Sequence, residues 1–168
     1  SDLAISEAIT PGIGELNRKQ KLYETLDANM DLTKPSGLTL DDFKKVLSGN
    51  PSDILGIIEN NAEAFYNAEQ KYKVNGIFLA SIAIHESAWG TSYIAKDKHK
   101  LFGFGAYDRS PYESANTFED YSNGIDTVAK YCAINYLNKA GTQIAEDLTA
   151  TGTYFNEPTI AGVNTRYC

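Results

Sequence analysis

Apolar residues recur along much of this chain at helical spacing, and the places where that spacing fails mark its turns. Leu16, Leu22 and Leu26 share one face of an expected helix over residues 16–29. A break at Lys34-Pro35-Ser36-Gly37 follows. Thr39 and Asp42 then make a capping-box-like start for a short helix ending near Leu47, and Ser48-Gly49-Asn50-Pro51 punctuates its end. A long helix is expected from Ser52, as N-cap, over residues 52–72, with Ile54, Ile57, Ile58, Ala62, Phe65 and Ala68 as its apolar stripe. A turn over 73–76 leads into residues 77–84, apolar almost all round, the pattern of a helix buried on every side. That run ends abruptly in the polar pair His85-Glu86.

Beyond Trp89-Gly90 a short helix is expected over 92–96. The alternating aromatics and glycines of 101–107, the turn at 108–111 and a second run near 115–118 predict a small β-hairpin, expected to be the only sheet. Helices resume over 121–137, 142–149 and 159–167. The expected fold class is therefore α+β, mainly α, with a small hairpin lobe. Because Pro35 and Pro51 both sit in turn clusters, the main domain is placed at 37–168, with 1–36 as an N-terminal helix or linker that packs on it or joins it to a neighbour.

With 168 residues, 42% of them hydrophobic, the chain is long enough to bury a real core, and disordered or collagen-like classes are excluded. Its longest apolar run is about half the roughly 20 residues that a bilayer-spanning helix needs. The opening SDLAISEAIT lacks a basic region leading into an apolar stretch, so any secretion signal is expected to have been removed, or export to use another route. Fifteen Lys plus Arg against 22 Asp plus Glu leave a net charge of −7. Such a surface is a poor partner for nucleic acid, anionic membranes and polyanionic walls, so another module or a larger assembly is expected to bring the domain to an anionic matrix. Cys132 and Cys168 make an even count that permits one disulfide, the alternative being a buried thiol at Cys132. A nucleophilic role for Cys132 is disfavoured, because it lies inside a helical stretch rather than at a helix N-terminus where a thiolate would be stabilised.

Glu86 is the leading chemical candidate. A carboxyl at the end of a buried apolar helix is partly desolvated, which disfavours its anion and suits it to donate a proton near neutral pH. A glycosidase general acid must do this as positive charge develops on the sugar. The bland alternative is a solvated Glu at a helix terminus. His85-Glu86 also begins like a zinc-peptidase HExxH, but Trp89 stands where the second His would be, and His99 lies beyond a break, so His85 is expected to be structural and no metal is implied. Eleven Tyr, seven Phe and one Trp supply a second theme, with Trp89, Phe102, Phe104, Tyr107, Tyr112, Phe118 and Tyr121 crowded around the expected hairpin. Rings with apolar faces and polar edges suit sugars; the alternative is core packing.

At Ile84-His85-Glu86-Ser87-Ala88-Trp89-Gly90-Thr91-Ser92, followed by Leu101-Phe102-Gly103, the chain resembles glycoside hydrolase family 73, the bacterial N-acetylglucosaminidase domain of autolysins, endolysins and phage tail lysins. The resemblance extends through Phe118-Glu119-Asp120-Tyr121 with Ile125, and Asn164-Thr165-Arg166-Tyr167, covering residues 37–168. It implies a lysozyme-like helical fold with a hairpin lobe over a sugar-binding groove, and hydrolysis of the β-1,4 bond after N-acetylglucosamine in peptidoglycan without a cofactor. Glu86 matches the family's general acid and Tyr167 a tyrosine of its active site. Phe102, Gly103 and Tyr121 match positions that shape the groove, to which Trp89, Tyr107 and Asp120 are added as expected glycan contacts. For the assisting carboxylate, Glu113, Asp108, Glu119 and Asp120 are all available, with Glu113 placed first. Two departures stand out: Lys100 replaces the Asn usual before L-F-G, and the family continues past R-Y with a further segment and helix, so a truncated C-terminal end is expected. The resemblance places the chain in a secreted, cell-wall or virion-associated setting, joined to a wall-binding module or an assembly such as a phage tail. Rival readings are a muramidase cutting the alternate bond, and a glycan-binding or structural module without turnover.

Overall fold

The computed structural model describes residues 28–87 and 120–167, the side chains of 85–87 and 164–167 excepted. In chain order the described elements are α1 (Leu40–Val46), α2 (Ile57–Asn60), α3 (Ala62–Tyr72), α4 (Gly76–Ser87), α5 (Tyr121–Asn135), β1 (Gln143–Ala145), β2 (Leu148–Thr149) and α6 (Ile160–Tyr167). The fold is mostly helical with one small antiparallel sheet among the described residues. Helix α3 is the hub: α1, α4 and α5 all pack against it. Phe43, Phe65, Phe78, Ile58, Leu79 and Ile125 are among the large side chains sealed in the shared core.

Helix α1 starts where the capping box places it. The Thr39 hydroxyl accepts from the Asp42 N–H at 3.1 Å, and the Asp42 carboxylate accepts from the Thr39 N–H at 3.1 Å, so two of the helix's orphan donors are satisfied reciprocally. Helices α5 and α6 likewise begin as expected, capped by Asp120, whose carboxylate accepts from the Asn123 N–H, and by Thr159, whose hydroxyl accepts from the Gly162 N–H. Helix α5 ends two residues short of the expected 121–137.

Two expected helices are corrected. The continuous helix over 52–72 breaks into α2 and α3, and Ser52 does not cap it. Gly56 adopts the left-handed φ of 66°, which a helix interior does not tolerate, and Asp53 provides the cap instead, its carboxylate accepting from the Ile58 and Glu59 N–H groups. Ile54, counted in the apolar stripe, is consequently 80% exposed, whereas Ile58, Ala62, Phe65 and Ala68 are buried as expected. Of the expected N-terminal helix over 16–29, residues 28 and 29 lie in a turn and the rest falls outside the described residues.

The segment 142–149 is a hairpin, not a helix. Gln143 pairs with Thr149 and Ala145 with Leu148, around a two-residue turn at Glu146-Asp147. Ile144 and Leu148 pack partly against the core, a spacing of four that serves either element. What decides is the bracketing: Gly141 and Gly152 take φ of 89° and 62°, and a Cβ at Gly152 would sit 2.5 Å from the Ala140 nitrogen. The chain leaving the hairpin then closes off α5. The Thr151 and Gly152 N–H groups donate to the Ile134 carbonyl, and the Tyr154 N–H to that of Asn135, giving partners to carbonyls that a helix end leaves orphaned. A sheet thus lies where none was expected, while the hairpin expected over 101–118 falls outside the described residues, as does the helix over 92–96.

Candidate functional site

Helix α4 is the element on which the leading candidate sits. Every residue from Gly76 to Ile84 is buried, so this stretch has no solvent face with which to orient itself, and polar contacts gather at its start. At its start the Asn75 side-chain oxygen accepts from the Ile77 and Phe78 N–H groups at 2.9 and 3.0 Å, an N-cap inside the core. The fully buried Glu69 of α3 accepts from the Gly76 N–H at 3.0 Å and from the Ser36 N–H and hydroxyl at 2.8 and 3.1 Å. Gly76 itself is required: an added Cβ would lie 2.7 Å from the Phe43 ring and 2.8 Å from the Phe65 carbonyl oxygen. The buried Ser81 hydroxyl is satisfied by the Ile77 carbonyl one turn back.

Glu86 falls in the last turn of this helix, after His85 and the run Ile82, Ala83 and Ile84, which are 6%, 0% and 3% exposed. Tyr167 closes α6, and the starts of α4 and α6 meet at one seam. The Leu32 carbonyl accepts from the Asn75 N–H at 2.9 Å, and the Leu32 N–H donates to the Pro158 carbonyl at 2.7 Å. One fully buried residue therefore links the segments that lead into the helix carrying Glu86 and the helix closed by Tyr167. Tyr121 opens α5 and packs partly against the core, and burial pushes its phenol above the usual tyrosine range. Asp120 is the α5 cap, its carboxylate also accepting from the Ser122 hydroxyl at 2.8 Å.

On the opposite side, α5 is fastened to α3 by Asp126, which accepts from the Tyr72 hydroxyl at 2.9 Å and pairs with Lys71 at 3.1 Å. Burial first, and then the Asp126 carboxylate, raise the Tyr72 phenol above its ordinary value. Trp89, Phe102, Gly103, Tyr107, Glu113 and Cys168 lie outside the described residues; Cys132 is buried on the core face of α5. Among the described residues no group of three or more His, Cys, Asp or Glu could hold a metal ion. Sequence reasoning passed over Glu69, Asn75 and Leu32, which set the start of α4. The Asn-Gly ahead of the apolar run was the available signal for the cap; nothing local marks Glu69 or Leu32, whose partners are distant in sequence.

Residues 62–164 match the sequence model of the glucosaminidase family, described as mannosyl-glycoprotein endo-beta-N-acetylglucosaminidase. The chain belongs to the glucosaminidase family. The matched span takes in α3, α4, α5 and the hairpin, and with them Glu69 and Asn75 at the start of the helix that carries Glu86. A Streptococcus pneumoniae serotype 4 protein assigned as an endo-beta-N-acetylglucosaminidase is 38% identical over 116 residues, covering 67% of this chain and 17% of that protein. A bifunctional autolysin of Staphylococcus aureus strain Mu50 is 31% identical over 114 residues, covering 59% of this chain and 9% of the autolysin. The glucosaminidase chain thus spans less than a fifth of the length of either relative. Its fold is similar to the crystal structure of a major bifunctional autolysin, with TM-score 0.55 and 21% identity over 98% of this chain and 86% of that one.

Proposed function

We propose that this glucosaminidase chain hydrolyses the β-1,4 bond after N-acetylglucosamine in bacterial peptidoglycan, with Glu86 as general acid. The observation that carries the reading is the position of Glu86 in the last turn of α4, two residues past a stretch buried through Ile84, in a chain of this family; withdrawal of a carboxyl from water favours its protonated form. Glu86 gives its proton to the glycosidic oxygen as the bond from that oxygen to the sugar's anomeric carbon breaks. Water adds to the anomeric carbon, and Glu113 accepts the water's proton. Tyr167 stands in the active site, and Trp89, Phe102, Gly103, Tyr107, Asp120 and Tyr121 hold the glycan. The catalytic domain is 37–168, working in a secreted or cell-wall setting and attached to a wall-binding module or a larger assembly such as a phage tail. The length of the matched relatives supports such attachment.

Digestion of purified cell walls, with the reduced products mapped by mass spectrometry, tests the reading. New reducing ends should be N-acetylglucosamine; N-acetylmuramic acid ends would make the chain a muramidase, and no new ends would leave a glycan-binding module.

A further inference from the structure

Away from the Tyr121 end of α5, the opposite end of that helix carries a cluster of aromatic and hydroxyl side chains. The Tyr136 and Tyr154 rings stack at 5.2 Å between centroids, and the Tyr131 ring lies 6.1 Å from that of Tyr136. Tyr136 is buried beneath, whereas Tyr131 and Tyr154 are 37% and 40% exposed, two of the four large hydrophobic side chains that are exposed among the described residues. Burial, and then the nearby Tyr154 phenol, raise the Tyr131 phenol above its ordinary value, so the two hydroxyls share one neighbourhood.

The rim continues in neutral polar groups. The Thr151 hydroxyl donates to the Asn135 side-chain oxygen at 2.8 Å and lies 3.2 Å from that of Thr153. The Tyr154 N–H donates to the Asn135 carbonyl, locking the loop that carries Tyr154 to the helix that carries Tyr131. None of these six side chains is charged near neutral pH, in a chain of net charge −7. Exposed ring surface bordered by hydroxyls and an amide suits a ligand with flat C–H faces and hydroxyl edges, and the lack of charge disfavours an acidic or basic peptide.

We infer that Tyr131 and Tyr154, with Asn135, Thr151 and Thr153, form a second glycan-binding platform for a neutral N-acetylated saccharide strand. Roughly 15 Å of helix separates Tyr131 from Tyr121, on the 1.5 Å rise per residue. The platform is therefore a separate holding point, which would keep a long glycan near the chain between cleavages by raising its effective concentration. This inference rests on the proposed reading of the substrate, but its test does not require turnover.

The full chain carrying Glu86→Gln, so that ligand is not consumed, is titrated with a soluble N-acetylglucosamine hexamer while backbone and tyrosine-ring NMR signals are followed. Signals of Tyr131, Asn135, Thr151 and Tyr154 should shift together, and adding Tyr131→Ala with Tyr154→Ala should weaken binding to insoluble glycan about tenfold, near 1.4 kcal/mol. Shifts confined to the Tyr121 end would overturn the platform even if the double variant failed to fold. Platform shifts with no wall cleavage by the unsubstituted chain would sink the proposed function and leave the platform standing; cleavage without platform shifts would do the reverse.

Discussion

Helices α4 and α5 both line the core, yet they obey different rules. From Gly76 to Ile84, α4 is enclosed on all sides. Helix α5 buries Gly124, Ile125, Val128, Ala129, Cys132 and Ala133 along one face and leaves Lys130 and Tyr131 outside. An amphipathic helix is oriented by water as much as by its neighbours. An enclosed one can be placed only by packing and by polar contacts at its ends, which is why a buried Asn, a buried Glu and a glycine pressed against Phe43 gather at the start of α4. The consequence is a helix placed from its start, with Glu86 in its last turn, and a second helix whose outer face carries surface groups such as the Tyr131 cluster.

Substitutions should separate the two rules. Phe78→Ala, inside the enclosed helix, should cost about 3–5 kcal/mol of unfolding free energy in urea titrations, since it opens a cavity with no route to solvent. Gly76→Ala should cost about 1–3 kcal/mol, because a methyl group there meets the Phe43 ring and the Phe65 carbonyl, whereas glycine-to-alanine on an open helix surface stabilises. Asp120→Ala, which removes the cap of the amphipathic helix, should cost about 1 kcal/mol. An Asp120 loss as large as the Phe78 loss would erase the contrast between the helices.

A smaller effect is expected in alkali. The Tyr72 phenol joining α3 to α5 binds its proton more tightly in the folded state than its ordinary value of 10.0. Its contribution is thus fully present below pH 10 and is lost as pH rises through the elevated folded value, because the unfolded chain ionises first. Tyr121, Tyr131 and Lys71 are shifted the same way. Denaturation midpoints should hold level up to about pH 9 and fall beyond it, with a shallower fall in Tyr72→Phe; a rise would contradict the assignment.

Much of this was legible from residue order because the signals are local. The Thr39-Asp42 box, the unbroken apolar run after Gly76 and the helices beginning near 121 and 159 each depend on neighbours a few positions away. The failures came where a local pattern was ambiguous. Ile144 and Leu148, four apart, fit a helix or a tight hairpin, and only the left-handed glycines at 141 and 152 choose between them. Gly56 and Asp53 interrupt a stripe that apolar spacing alone would carry through to Ile54. At the candidate site, Glu86 was marked by its contrast with the run before it. Glu69 and Leu32 were invisible because their partners, Ser36 and Pro158, are 33 and 126 positions away.

The most direct measurement is the rate at which Glu86→Gln, shown by melting to be as stable as the parent chain, releases N-acetylglucosamine reducing ends from purified peptidoglycan. A proton donor at the end of the enclosed helix predicts a fall of about 10²–10⁴-fold with wall binding retained. A folded Glu86→Gln chain that cleaves at the parental rate would contradict it.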